Sequence, residues 1–181
     1  MKTKFLALAL VALAPFAVMA DVSYKYIDFS YQTGSVDPAS DFDGFRFMAS
    51  VPINDSWYVK FDYTDVSFDP TGSLSDYTLA LGWHNDLLFA NFGYESADGG
   101  GGAESGYALD FGARSMVGEN FELNGHIGYA DLGNFDTFMR YGFGGVWMFG
   151  DNMGVSFNYD IWSADTGGDL DTMGVGFRFN F

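Results

Sequence analysis

Bulky apolar side chains recur at every second position of this chain, opposed by small or charged ones. Trp57, Val59, Phe61 and Tyr63 alternate with Tyr58, Lys60, Asp62 and Thr64; Met139, Tyr141, Phe143, Gly145 and Trp147 alternate with Phe138, Arg140, Gly142, Gly144 and Val146. The same split separates Phe45, Phe47, Ala49 and Val51 from Arg46, Met48 and Ser50, and Tyr107, Leu109, Phe111 and Ala113 from Ala108, Asp110, Gly112 and Arg114. Val155, Phe157, Tyr159 and Ile161 oppose Ser156, Asn158 and Asp160. A period of two belongs to β-strands whose faces meet different surroundings, and no helical period competes with it. Ten such segments are read, at 22–31, 44–53, 56–66, 76–84, 87–96, 106–117, 121–132, 137–149, 153–163 and 170–181.

The breaks alternate as well. Asn54-Asp55, Asn85-Asp86, Gly118-Glu119-Asn120 and Gly150-Asp151-Asn152 are tight connections of residues that tolerate turn geometry. Midway between them lie longer polar stretches, Gln32 to Asp43, Ser67 to Ser75, Ala97 to Gly106, Gly133 to Asp136 and Ala164 to Asp169. An antiparallel meander follows, with short turns at one end and loops of about five to twelve residues at the other.

Alternation alone leaves two architectures open. A soluble sandwich buries its apolar face between sheets and shows water a face rich in Lys, Glu and Thr. Here the polar face is mostly Gly, Ala, Ser and Asn with isolated charges near strand middles, a mixture suited to a narrow lumen. Arg46, Lys60, Arg114, Arg140 and Arg178 fall on that face, as do Asp28, Asp62, Glu95, Asp110, Glu122, Asp160 and His126. No charge within the segments faces lipid at mid-height, where Lys or Arg costs roughly 2–4 kcal/mol. Aromatic residues gather at the segment ends, Trp57, Trp83, Phe121 and Trp147 near the short turns, Tyr31, Tyr63, Tyr77, Tyr94, Tyr107 and Tyr129 nearer the loops, as two interfacial girdles would. About five outward residues per strand give a band of roughly 23 Å, close to the apolar belt of a membrane barrel. The expected fold is all-β, a transmembrane antiparallel up-and-down barrel of ten strands, with eight as the alternative count.

Residues 1–20 stand apart. Lys2 and Lys4 precede an apolar run, and Val18-Met19-Ala20 offers small residues for a peptidase, so an export signal cut between Ala20 and Asp21 is expected, leaving 21–181 as the barrel. The chain has no cysteine, which excludes disulfides, thiolate metal sites and a lipid-modified amino-terminal cysteine. Beyond Lys2 and Lys4 the basic residues are Lys25, Arg46, Lys60, Arg114, Arg140 and Arg178, against 24 acidic ones, so nucleic acid is not expected as a partner.

The leader, the even strand count, the alternating short and long connections, and the closing segment "MGVGFRFNF" together resemble the small single-chain outer-membrane β-barrel proteins of Gram-negative bacteria, the porin-like and OmpA-type barrels. The resemblance spans the whole mature chain at the level of architecture, with no motif for a subfamily. It implies residence among outer-membrane lipids and lipopolysaccharide. It also implies that Phe177, Phe179 and Phe181 form the signal read by the barrel-assembly machinery.

Several functions fit such a barrel. The near-balanced inner charges support a salt-bridged plug with a structural or surface-interaction role, while inward glycines, Gly82, Gly93, Gly112, Gly128, Gly142, Gly144, Gly174 and Gly176, leave room for a narrow channel for small solutes. The loop side collects Asp37, Asp41, Asp43, Asp65, Asp69, Asp76, Asp98, Glu104, Asp131, Asp136, Asp165, Asp169 and Asp171 without Lys or Arg, a rim that favours cations. Within "ADTGGDLD", Asp165, Asp169 and Asp171 are candidate ligands for a divalent cation bridging lipopolysaccharide phosphates. No cofactor is expected. An enzyme is disfavoured because the only histidines, His84 and His126, lie near a short turn and inside the lumen.

Overall fold

A computed structural model describes residues 22–36, 40–69, 72–166 and 168–181. The leader expected at 1–20, its cleavage point at Ala20 and Asp21, and the rim residue Asp37 lie outside the described residues. Ten strands follow one another: β1 (Tyr26–Val36), β2 (Ser40–Pro52), β3 (Trp57–Phe68), β4 (Ser73–His84), β5 (Leu88–Asp98), β6 (Ala103–Met116), β7 (Phe121–Asp131), β8 (Thr137–Met148), β9 (Met153–Ala164) and β10 (Leu170–Asn180). Each pairs antiparallel with its sequence neighbours, and β1 closes on β10 from Tyr26↔Asn180 to Val36↔Leu170. Closure leaves no unpaired edge, the condition for a sheet to stand in lipid. No helix occurs among the described residues.

The alternation dictates the faces. On β1, Ile27, Phe29 and Tyr31 point out while Tyr26, Asp28, Ser30 and Gln32 are buried. On β10, Met173, Val175, Phe177 and Phe179 point out while Gly174, Gly176 and Arg178 are buried. Trp57 pairs with Trp83, and Phe121 with Trp147, at the end carrying the short turns, where β1 begins and β10 ends. Tyr63 pairs with Tyr77 towards the opposite, loop end.

Two expectations are corrected. The strands run further into the loop side than the apolar pattern does: β1 extends to Val36, β2 begins at Ser40, and β6 begins at Ala103. The connections there shrink to four residues at 99–102 and five at 132–136 and 165–169, against three or four at the other end, so little of the expected contrast of short turns and long loops remains. Above the lipid belt an outward residue faces water whether the backbone is strand or loop, so polar residues such as Asp41 and Asp43 stay in the ladder without an apolar face to mark it. The second correction is at the start. Residues 22–25, read as strand, precede β1, and Tyr24 is buried at the turn-end mouth.

Candidate functional site: the barrel lumen

The lumen holds the polar half of every strand, and its charges sort into three levels. At the turn end, Arg114 donates from Nε and Nη2 to the Glu122 carboxylate at 3.0 and 2.9 Å. Arg178 donates to the same carboxylate at 3.2 Å and, through Nε, to Asp28 at 3.1 Å. In the middle, Arg46 grips Asp62 with two bonds of 2.7 and 2.6 Å and reaches across the barrel to Asp160 at 3.3 Å. Lys60 Nζ lies 3.0 Å from Asp62, and His126 Nε2 lies 3.6 Å from Asp160. Towards the loop end, Arg140 donates to Glu95 at 2.7 Å and to Asp110 at 3.1 Å. The structure brings each of the twelve inner-face residues singled out from the sequence within 4 Å of another of them. Bidentate guanidinium–carboxylate pairs are the geometry that best offsets the desolvation of buried charge.

The glycines have a different part from the one expected. A Cβ on Gly82 would run into the Tyr58 ring, and one on Gly142 would meet Asp160 Oδ1 and the His126 ring. Gly82, Gly112, Gly142 and Gly174 thus seat larger lumen side chains against the wall. Tyr58, so seated, donates from its hydroxyl to Asn91 at 2.6 Å. What space remains is divided. Cavities of about 100, 80 and 70 Å³ succeed one another along the lumen, the first two sharing Arg46, Lys60 and His126 in their walls, the last two Arg46, Asp62 and Arg140.

Side chains that the sequence reading missed crowd both mouths. At the turn end the segment before β1 folds across the opening. The Tyr24 ring stacks on His84 with centroids 3.8 Å apart, and the Arg114 guanidinium lies 4.5 Å from the centre of the same Tyr24 ring. The Ser23 carbonyl accepts a bond from Arg114 at 3.1 Å, and the Tyr24 carbonyl one from the Ser50 hydroxyl at 2.6 Å. Burial pushes the Tyr24 phenol up to about 12. Near the loop end, Ala97, Ala108, Ala130, Leu132 and Phe138 form an apolar cluster against which Leu74, Trp162 and Ala164 pack.

Two acidic assignments change. Asp76, placed on the rim by sequence, is buried inside the barrel at 7% exposure, because it continues the inward row of Thr78, Ala80 and Gly82. Asp165, Asp169 and Asp171, the expected cation ligands, are not drawn into one group. Asp169 accepts from Ser163 at 2.8 Å and Asp171 from Tyr159 at 3.4 Å, and among the described residues no three His, Cys, Asp or Glu are grouped to hold a metal ion. Asp165 and Asp169 lie at opposite ends of the connection from β9 to β10, and Asp171 is on β10 itself. On the outer face, Phe179 and Phe181 stack 6.5 Å apart, continuing the row that includes Phe177.

An apolar exterior and a charged interior on one closed sheet define a transmembrane β-barrel. Among solved structures, the chain is similar to an outer membrane channel from Pseudomonas putida F1, at 10% identity over 93% of this chain and 99% of that one, with a TM-score of 0.53. It is also similar to the KdgM porin, at 10% identity over 86% of this chain and 99% of that one, with a TM-score of 0.50. These likenesses establish the fold, that of outer-membrane porins and channels. No protein-family model matches the chain, and no curated protein matches it.

Proposed function

We propose that this chain is an integral protein of the bacterial outer membrane, exported by residues 1–20, whose ion-paired lumen braces the barrel and whose acidic loop end serves surface interaction. The observation that carries the reading is the threefold tier of ion pairs: Arg114–Glu122 and Arg46–Asp62 tie neighbouring strands, while Arg46–Asp160 and Arg140–Glu95 span the interior. Such cross-links fix the strands to one another and occupy the path a solute would take. Outer-membrane lipids and lipopolysaccharide are the surroundings this exterior suits. Phe177, Phe179 and Phe181 are the segment we assign to recognition by the barrel-assembly machinery. No catalytic role is proposed, since His84 is stacked beneath Tyr24 and His126 sits beside Asp160.

The second reading is a narrow, cation-preferring channel. It is favoured by the succession of cavities with walls in common. Conductance in a planar bilayer decides between the two. The refolded barrel, verified by its heat-dependent gel mobility, is expected to give no discrete current steps. Regular steps in the native protein would establish the channel and overturn the plug.

A further inference from the structure

The three levels of lumen charge are not alike. At the turn end Arg114 and Arg178 face Asp28 and Glu122, two against two; in the middle Arg46 and Lys60 face Asp62 and Asp160, again two against two. Towards the loop end Arg140 alone faces Glu95 and Asp110, and Asp76 joins the same level from the adjacent strand. Asp76 pairs with Ala97 and Glu95 with Thr78, so the two carboxylates are diagonal neighbours on β4 and β5, about 7–8 Å apart at the backbone. The excess of negative charge is confined to this level.

The hydrogen bonding shows the same deficit. Both terminal nitrogens of Arg140 are engaged by Glu95 and Asp110. Asp76 Oδ2 and Glu95 Oε1 have no hydrogen-bond partner among the described residues, nor has the donor Arg140 Nε on the same level, although Asp76 is 7% exposed and Glu95 0%. Buried carboxylate oxygens are ordinarily satisfied, so two orphaned acceptors against one unused donor on an under-compensated level leave room for a further donor at Asp76. Asp76 also lines the cavity of about 70 Å³, whose wall carries Arg46 and Arg140, both already ion-paired to other carboxylates, beside an apolar stretch of Phe42, Val66, Trp162 and Leu170.

We infer that this cavity is a binding site for a small organic ammonium ion, whose N–H groups donate to Asp76 and its short apolar part lies against Phe42, Val66 and Leu170. A primary ammonium supplies up to three donors and the compensating charge. A bare inorganic cation fits less well: among the described residues no three His, Cys, Asp or Glu are grouped to hold a metal ion, and its remaining hydration shell would meet the apolar stretch of the wall. The acidic rim concentrates cations at the mouth above. The inference goes beyond the proposed structural role and is independent of it, since a conducting and a silent barrel both keep the cavity.

The test uses the full barrel refolded in micelles, with the Trp162 indole N–H followed by NMR during titration with propylammonium chloride, potassium chloride or propanol. Propylammonium is expected to give a saturable shift, and the other two none. Asp76→Asn should weaken the binding by roughly tenfold or more, while Asp169→Asn at the rim leaves it unchanged. An absent or non-saturating propylammonium shift, an equal shift with potassium, or unaltered affinity in Asp76→Asn would each overturn the site. Should Asp76→Asn fail to yield the folded band on gels, the comparison of the three solutes on the native barrel decides alone.

Discussion

Glu122 and Arg114 meet through two near-parallel hydrogen bonds of 3.0 and 2.9 Å, on side chains each 8% exposed, and the same carboxylate accepts from Arg178. One anion thus serves two buried cations, with Asp28 the other acid on that level. Glu122→Gln keeps the shape and removes the charge, leaving Arg114 without its salt-bridge partner. The expected loss is about 3–5 kcal/mol of stability, the range for breaking one side of a buried pair. Urea unfolding in micelles measures it. An apolar double replacement, Arg114→Met with Glu122→Met, should recover a large part of the loss, because no unpaired charge then remains.

Gly82 makes a separate point about packing. An added Cβ there would overlap the Tyr58 ring, which is itself 3% exposed and tied to Asn91. Gly82→Ala is therefore expected to cost roughly 1–3 kcal/mol through overpacking. Gly101, in the connection between β5 and β6, has nothing within 4 Å of the same position. Gly101→Ala should stay within about 0.5 kcal/mol of the native barrel. The pair of unfolding midpoints separates a steric requirement for glycine from a general effect of the substitution.

The inward row was legible residue by residue because lipid makes its parity strict. Arg46, Lys60, Arg114, Arg140 and Arg178 each have apolar neighbours at i±1 or lie on strands whose other face is apolar, and no alternative placement spares a charge from hydrocarbon. Their partners across the barrel were not legible. Arg46 on β2 reaches Asp160 on β9, a contact set by strand tilt and stagger, which leave no trace in a local pattern. The strand ends were missed for a related reason. Beyond the belt both faces meet water, and Asp41 or Ser40 looks the same in a ladder as in a loop. Asp76 was recoverable: its parity with Thr78 and Ala80 was present, but a segment begun at residue 76 made it an end residue. The inward turn of Val22–Lys25 had only the aromatic Tyr24 as a signal, and alternation through Tyr24, Tyr26 and Asp28 imitates a strand.

Tyr24 precedes the first strand and gives the turn-end mouth a measurable signature. Burial raises its phenol from the ordinary 10.0 to about 12, so the folded barrel holds that proton more tightly than the unfolded chain does. Its contribution to stability is complete below pH 10 and is lost as pH rises from 10 towards 12. Tyr24→Phe removes the titration while keeping a ring against His84. The difference between native and Tyr24→Phe unfolding midpoints, followed from pH 9 to about pH 12, should change over that interval and be flat below it. A difference independent of pH throughout would show that Tyr24 is not held in a closed mouth.

The outer boundary of the lipid belt is written in tyrosine–aspartate contacts. The Tyr63 hydroxyl donates to Asp65 at 3.0 Å, Tyr107 to Asp131 at 3.5 Å and Tyr159 to Asp171 at 3.4 Å, each pair on the outward face near the loop end. A phenol whose ring lies over apolar neighbours and whose hydroxyl meets a carboxylate marks the change from hydrocarbon to water. Phe92 lies below that line, outward at 59% exposure between Leu81 and Leu109. Asp41 lies above it, exposed on β2. Phe92→Arg is accordingly expected to cost about 2–4 kcal/mol in a phospholipid bilayer, and Asp41→Arg about 0–1 kcal/mol. Reversible unfolding from large unilamellar vesicles provides both values. In detergent micelles, which deform around an arginine more readily than a bilayer, the gap should narrow. If the two substitutions cost the same in the bilayer, Phe92 does not face hydrocarbon and the belt has been drawn at the wrong height.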